Sequence, residues 1–173
     1  MKVSWNNPGS RELISQLRIE LPNCTIGAGT HALLKQSQVK EMITAGCQFI
    51  FTSYVNPLII NTAVESNLPV IPSALTPTEI VKAWQSGAVC IKVFPIQSFG
   101  GKSYIKNLQG PLGHIPLIAA GGITLENAEE FLTAGALAIE LNRQLFPKKL
   151  VANGNWEEIS QKAAQFTKKI VRF

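Results

Sequence analysis

The chain has 173 residues, of which 46% are hydrophobic and only 16% are charged. This balance excludes a disordered chain and predicts a single globular domain, residues 1–173, with a sizeable core. No apolar run approaches the roughly 20 residues that cross a bilayer, and the N-terminal residues lack a signal-peptide pattern, so we expect a cytoplasmic protein with no membrane partner.

A formal net charge of +5 raises the question of a nucleic-acid partner. The basic residues are scattered, however, and the one dense cluster is FTKKIVRF at the end of the chain. It closes a segment with a helical apolar stripe, Ile159, Ala163, Phe166 and Ile170. Cations suit the end and the solvated face of such a helix. We expect no nucleic-acid partner, because small anionic substrates explain the positive balance at least as well.

Neither metal nor disulfide chemistry is predicted. The three cysteines, Cys24, Cys47 and Cys90, are an odd number without CxxC spacing, and we expect each to pack as a small apolar residue. The two histidines, His31 and His114, have no acidic neighbours at metal-ligand spacing, so we expect them in loops or on the surface. The sequence therefore predicts no metal and no cofactor.

Short β-rich apolar runs recur at intervals of 20 to 27 residues along the chain. They are CTIGAG (24–29), QFIFTS (48–53), LPVIPS (68–73), AVCIKVFP (88–95), IPLIAAGG (115–122) and LAIELN (137–142), with a fragment, MKVSW, at the start. Each interval fits a strand, a loop and a helix, which predicts a parallel sheet covered by helices.

The segments between these runs carry helix signals. TPTE (76–79) places Thr76 as an N-cap, a proline at the first helical position and Glu79 as the capping-box acid. Asn56-Pro57 and Asn7-Pro8 are expected to repeat the cap followed by proline. Glycines are expected at three helix C-termini: Gly46, Gly87 and Gly135.

Open doubly wound sheets and (β/α)8 barrels both satisfy this order of elements. GAGT and GGIT do not have the GxGxxG spacing of a dinucleotide site. Polar or glycine residues instead end nearly every strand, as around the mouth of a barrel: Thr30, Ser53, Ser73, Lys92, Gly121, Gly122 and Asn142. We predict an α/β fold of the (β/α)8 TIM-barrel type that lacks its first β-α unit and has about seven strands.

One lysine, Lys92, lies inside the apolar run VCIKVFP. Alternation puts it on the opposite face from Ile91 and Val93, so it points into the barrel if those two face the helices. A lysine held in such a place can have its pKa lowered from roughly 10.4 towards about 7–8, and its free amine then forms a Schiff base with a carbonyl compound. The alternative is a salt-bridged lysine, or one at the strand edge that reaches water.

Two glycine-containing turns are candidate anion sites. AAGGIT places Gly121 and Gly122 between a strand and a helix that Thr124 is expected to cap. Glycine N–H groups and a helix N-terminus favour phosphate, although a tight turn that binds nothing is the alternative. In GAGT, Thr30 is expected either to hydrogen-bond a carboxylate or to cap the next helix.

Together, IGAGT, IKVFP and AAGGIT, with their spacing and with IPSALTPTE and LFPK, resemble the 2-keto-3-deoxy-6-phosphogluconate (KDPG) / 4-hydroxy-2-oxoglutarate (KHG) aldolases over essentially the whole chain. The resemblance implies a barrel, usually a homotrimer, that cleaves a keto acid, in some cases phosphorylated, to pyruvate and an aldehyde without metal. It implies that Lys92 forms the Schiff base, that Thr30 helps to hold the pyruvate carboxylate and that Phe94 packs near the substrate. Gly121 and Gly122 would bind phosphate.

The chain also departs from the family pattern. The first β-α unit of the family has no counterpart, and Lys2 aligns with its general acid/base glutamate while Asn6 aligns with a carboxylate-binding arginine. An ammonium at position 2 would disfavour a protonated Lys92 nearby. After the last strand, Glu140 would repel phosphate if it faced the mouth, and Arg143 would partly compensate.

The sequence thus predicts a Schiff-base (class I) aldolase-like lyase that cleaves KDPG or KHG. The alternative is a catalytically impaired relative with a ligand-binding or structural role, because losing a positioned acid/base costs roughly 10²–10⁴-fold in rate. A third possibility is a different phosphate-binding barrel enzyme, in which Lys92 is not needed for turnover. An incomplete barrel exposes strand edges, so we expect a homo-oligomer.

Overall fold

The structure is a computed structural model that describes residues 1–30, 34–141 and 144–170. Its chain forms two compact units, Met1–Lys92 and Val93–Phe173. In the described residues, seven strands alternate with helices.

The first unit contains most of the strands. Its elements are β1 (Lys2–Ser4), α1 (Ser10–Glu20), β2 (Gly27–Gly29), α2 (Gln36–Thr44), β3 (Ile50–Thr52), α3 (Pro57–Glu65), β4 (Val70–Ala74), α4 (Pro77–Gln85) and the first two residues of β5 (Ile91–Val93). Strands β1 to β4 pair in parallel in chain order. Gly29 lies opposite Ser4 on one side and Phe51 on the other.

The core of this unit follows from the apolar runs. All five residues of β4 are buried, as expected for a parallel strand with helices on one face and the sheet interior on the other. Fully buried side chains from the strands, the helices and the residue before β2 complete the core: Ile14, Ile26, Val39, Met42, Ile50, Ile60, Val70 and Ile80.

The second unit continues the same alternation. Its elements after β5 are a short 3₁₀ helix (Gln97–Phe99), α5 (Lys102–Leu112), β6 (Leu117–Ala120), α6 (Ala128–Thr133), β7 (Ala138–Glu140), α7 (Lys148–Ala152) and α8 (Trp156–Ile170). Strands β6 and β7 are parallel. On α8 the predicted apolar stripe is confirmed, since Ile159 and Phe166 are buried.

This architecture confirms the prediction of an α/β fold of the (β/α)8 TIM-barrel type with seven strands. Every predicted run contains a strand, and each strand is shorter than its run, at three to five residues. Most runs end in glycine, proline or polar residues, which favour a loop over continuation of the strand.

Most helix boundaries follow the sequence signals. Thr76 Oγ1 accepts a hydrogen bond from the Glu79 N–H, and Glu79 Oε2 accepts from the N–H of Thr76 at 2.8 Å and of Leu75 at 2.9 Å. These backbone donors, Thr76 first, hold the pKa of Glu79 below its ordinary value of 4.5. Asn56 Oδ1 caps α3 through the Leu58 N–H at 3.0 Å. The three C-terminal glycines have positive φ, as predicted.

The prediction at Asn7-Pro8 is wrong. Helix α1 begins at Ser10, and its N-cap is Gly9, which has a left-handed φ of 77°. The Asn7 carbonyl, not its side chain, accepts hydrogen bonds from the Ser10 N–H and Oγ. A turn therefore separates the proline from the helix, because left-handed Gly9 redirects the chain before the helix begins.

The cysteine prediction holds for two of three residues. Cys47 and Cys90 are buried, and burial raises the pKa of the Cys47 thiol to about 11. Cys24 is exposed, which corrects the prediction for that residue. It lies in the loop before β2 rather than in the strand itself.

Candidate functional site

The predicted nucleophile, Lys92, lies at the centre of β5. Its side chain is only 5% exposed, between Ile91 and Val93, which are fully buried. Its Nζ lies over the Phe51 ring, 5.3 Å from the ring centroid. This burial confirms the prediction of a buried lysine on the strand. It is unusual, because lysine is among the residues least often buried.

Phe51 on β3 was not predicted as a site residue. Its ring stands edge-on to that of Phe49, with the centroids 5.6 Å apart and the planes at 80°. A second lysine, Lys2, also places its Nζ over the Phe51 ring, 5.3 Å from the centroid. The two lysine nitrogens are therefore no more than twice that distance apart. The sequence pattern that could have pointed to Phe51 is its alternation with Phe49, which puts both rings on the face opposite Ile50.

Lys2 reaches this ring because β2 contains a glycine where the lysine stem crosses it. The Lys2 backbone pairs with Gly27, but its side chain extends along the strand direction to Gly29. A Cβ at Gly29 would lie 2.6 Å from Lys2 Cδ, so only glycine leaves this path open. Since Gly29 pairs with Phe51, the stem leads directly to the ring.

Thr30 follows β2 and is 5% exposed. Its N–H donates to the Phe51 carbonyl at 3.3 Å, and its own carbonyl accepts from Ser53 Oγ at 2.6 Å. Helix α2 begins at Gln36 with Lys35 as its N-cap, so Thr30 does not cap the next helix. The interpretation as a helix cap is therefore wrong, and Thr30 instead links the ends of β2 and β3.

In the second unit, Phe94 and the glycine pair lie together. Gly121 and Gly122 follow β6 with φ values of 87° and 85°, which favour glycine. A Cβ at Gly121 would lie 2.9 Å from Phe94 Cδ2 and from Pro95 Cα, and one at Gly122 would lie 2.3 Å from Gln97 Cβ. Packing against the segment after β5 is thus sufficient to require both glycines. Phe94 itself is 46% exposed.

The turn after the glycine pair differs from the prediction. Helix α6 begins at Ala128 with Asn127 as its N-cap, so Thr124 is not the N-cap. Thr124 Oγ1 instead accepts from the N–H groups of Glu126 and Asn127 at 3.2 Å and stabilises the turn that precedes the helix. The predicted helix start was too early because a threonine can hold an isolated turn by the same hydrogen bonds.

The remaining predictions concern residues of less weight. His114 is exposed, as expected, whereas His31, Asn142 and Arg143 lie outside the described residues. Glu140 ends β7 and is partly buried. Within residues 1–30, 34–141 and 144–170, no group of three or more His, Cys, Asp and Glu side chains is arranged to hold a metal ion. Nor does any helix in these ranges have the length and apolarity to cross a membrane.

Comparison with known proteins identifies the family. The model of the family described as "Aldolase: KDPG and KHG aldolase" matches residues 1–162. The chain belongs to the KDPG and KHG aldolase family. This confirms the resemblance inferred from the motifs.

Individual relatives agree with the family assignment. A 2-dehydro-3-deoxy-6-phosphogalactonate aldolase of Escherichia coli K12 is 37% identical over 83% of this chain and 67% of its own length. A 2-dehydro-3-deoxy-phosphogluconate aldolase of Haemophilus influenzae is 29% identical over 92% of this chain and 74% of its own. Among solved structures, one described as native KDPGal matches this chain with a TM-score of 0.86 and 32% sequence identity. The match covers 96% of this chain and 79% of the other.

Proposed function

We propose that this family member is a Schiff-base (class I) aldolase that cleaves KDPG, KHG or a related 2-keto-3-deoxy sugar acid to pyruvate and an aldehyde, with Lys92 as the nucleophile. The observation that carries the proposal is a lysine 5% exposed at the centre of β5, with its Nζ over the Phe51 ring. Burial penalises the ammonium form of a lysine, and the neutral amine is the form that attacks a carbonyl carbon.

The chemistry needs only this amine and proton transfers. The Lys92 nitrogen adds to the ketone carbon of the substrate, and loss of water gives a protonated imine. The bond between substrate carbons C3 and C4 then breaks. Its electron pair moves towards the iminium to form an enamine, and the C4 hydroxyl loses its proton to become the aldehyde. Protonation of the enamine carbon and hydrolysis of the imine release pyruvate and regenerate the amine.

The other predicted site residues receive binding roles in this proposal. Thr30, buried where β2 ends, would help to hold the pyruvate carboxylate. Phe94, half exposed directly after β5, would pack near the substrate. Gly121 and Gly122 would present their N–H groups to the phosphate of a phosphorylated keto acid, since backbone of positive φ forms such anion-binding turns.

A catalytically impaired relative with a ligand-binding role is the second candidate function. The observation that favours it is the lysine at position 2, where the family resemblance implies a glutamate. The stem of Lys2 lies against Gly29. An ammonium cannot accept the C4 hydroxyl proton, so this proton would pass to water. We therefore expect turnover roughly 10²–10⁴-fold below that of a relative with a positioned acid/base.

Pyruvate release separates these possibilities. Wild-type protein is incubated with KDPG, KHG and 2-keto-3-deoxy-6-phosphogalactonate, and pyruvate is followed with lactate dehydrogenase and NADH. Slow release that falls to the uncatalysed rate in Lys92→Met supports the aldolase, while Lys40→Met, which changes an exposed lysine on α2, retains the wild-type rate. Equal rates for wild type and Lys92→Met would remove Lys92 from the mechanism and favour another barrel enzyme.

We further propose that the chain is one cytoplasmic domain that forms a homo-oligomer, a trimer as the family resemblance implies. The relatives act on sugar acids, which supports the cytoplasmic location.

A further inference from the structure

Lys2 is the feature of this site that the proposed reaction does not use. Its side chain is partly buried, and its stem lies against Gly29. Its Nζ and the Nζ of Lys92 each lie 5.3 Å from the centroid of the Phe51 ring. A Cβ at Gly29 would lie within 3.2 Å of three consecutive carbons of the Lys2 stem, Cγ, Cδ and Cε. The absence of a Cβ at Gly29 therefore leaves room for the stem of Lys2 from Cγ to Cε.

The direction of the stem matters for function. Lys2 pairs with Gly27, two residues before Gly29, so its side chain runs towards the carboxyl ends of the parallel strands. Barrel enzymes bind their substrates at that end. The residue that follows β2 is Thr30, which is also buried. The Lys2 side chain thus points towards the end of the strands at which Lys92 would hold a bound keto acid.

Charge supplies the second step. When Lys92 condenses with a ketone, the protonated imine is positive, and the Lys2 ammonium is a second cation beside the same ring. Two like charges in a partly buried place repel, and an anion placed between them offsets that repulsion. A 2-oxo acid brings such an anion, because its carboxylate is attached directly to the carbon that Lys92 attacks.

We propose that Lys2 is a substrate-binding residue whose ammonium pairs with the carboxylate of the 2-oxo acid held by Lys92. This inference rests on the proposed function and adds a substrate requirement to it, namely a carboxylate next to the ketone. It also gives position 2 a role that no acid/base glutamate could perform, since two carboxylates would repel each other.

Reductive trapping at increasing pyruvate concentration tests the inference. Pyruvate and borohydride are added to wild type, Lys2→Met, Lys2→Arg and the exposed-lysine control Lys40→Met, and the labelled fraction of the Lys92 peptide is measured by mass spectrometry. Losing one charge-assisted hydrogen bond should raise the half-saturating pyruvate concentration about 10-fold or more in Lys2→Met. Lys2→Arg keeps the cation and should stay within about 3-fold of wild type, as should Lys40→Met. Hydroxyacetone, an uncharged ketone, should label wild type and Lys2→Met at similar concentrations.

The outcomes separate this inference from the proposed function. If wild type forms no adduct on Lys92, the proposed function fails. If wild type is labelled and Lys2→Met is labelled at the same pyruvate concentrations, only the role of Lys2 fails. An adduct on Lys2 itself would also overturn it. A second measurement avoids the covalent step: calorimetry of pyruvate binding to Lys92→Met, with and without Lys2→Met, should show weaker binding when Lys2 is absent, and equal binding contradicts the inference.

Discussion

Substituting Gly121 by alanine tests whether packing or phosphate binding requires the glycine pair. Its φ of 87° lies in the left-handed region, where a side chain costs roughly 1–2 kcal/mol. A Cβ there would also lie 2.9 Å from Pro95 Cα, a backbone atom that cannot rotate away. Such overpacking adds roughly 1–3 kcal/mol. We expect Gly121→Ala to lower the free energy of unfolding by about 2–5 kcal/mol.

Gly154 provides the matched control in the same unit. It has a φ of 63°, but the nearest atom to its added Cβ would lie 3.8 Å away, an ordinary contact. Gly154→Ala should therefore lose only the conformational term, roughly 1–2 kcal/mol. Urea unfolding followed by circular dichroism gives both values, and a single transition is expected if the chain is one domain. Equal losses in the two variants would refute the packing argument. A Gly121→Ala protein of wild-type stability that binds phosphorylated keto acids weakly would show that phosphate binding alone requires the glycine.

Two further predictions concern a helix cap and assembly. Glu79→Gln should lower stability by a few tenths to about 1 kcal/mol at neutral pH, because the carboxylate accepts two backbone N–H bonds at the start of α4. Since the pKa of Glu79 is lowered in the folded protein, its contribution to stability is present above its ordinary pKa of 4.5 and is lost as pH falls through the folded-state pKa. Urea unfolding should therefore show the stability difference between wild type and Glu79→Gln becoming smaller in acid. A difference that persists unchanged at about pH 3 contradicts the assignment. Light scattering should give the mass of a homo-oligomer, three chains if the family resemblance holds, and a monodisperse monomer would contradict the proposed assembly.

Much of the fold could be predicted because its determinants are local. Apolar runs separated by glycines and capping residues located the seven strands of the described residues, and the hydrogen bonds of Thr76 and Glu79 follow directly from TPTE. Asn7-Pro8 has the same local pattern as Asn56-Pro57, yet only the second begins a helix. The difference lies in Gly9, whose left-handed conformation no pattern of capping residues specifies.

The candidate site depended on register, which the sequence does not reveal. Alternation indicated that Lys92 faces away from Ile91, but the contact with Phe51 requires the pairing of separate strands. Lys2 was recognised only as a departure from a family pattern. The approach of Lys2 to the Phe51 ring depends on the absence of a side chain at Gly29. In the sequence alone, a glycine within a strand indicates only a weaker strand. The glycine pair is typical of an anion-binding turn, and the sequence does not reveal that a Cβ at Gly121 would lie 2.9 Å from Pro95 Cα.

The central claim is that Lys92 is a nucleophilic amine, and trapping with pyruvate and borohydride tests it most directly. Wild-type protein is treated with both reagents, digested and mapped by mass spectrometry. The account predicts a reduced pyruvate adduct on the peptide that contains Lys92, absent from Lys92→Met and absent when borohydride is added before pyruvate. An adduct confined to other lysines, or none on any lysine at saturating pyruvate, would contradict it.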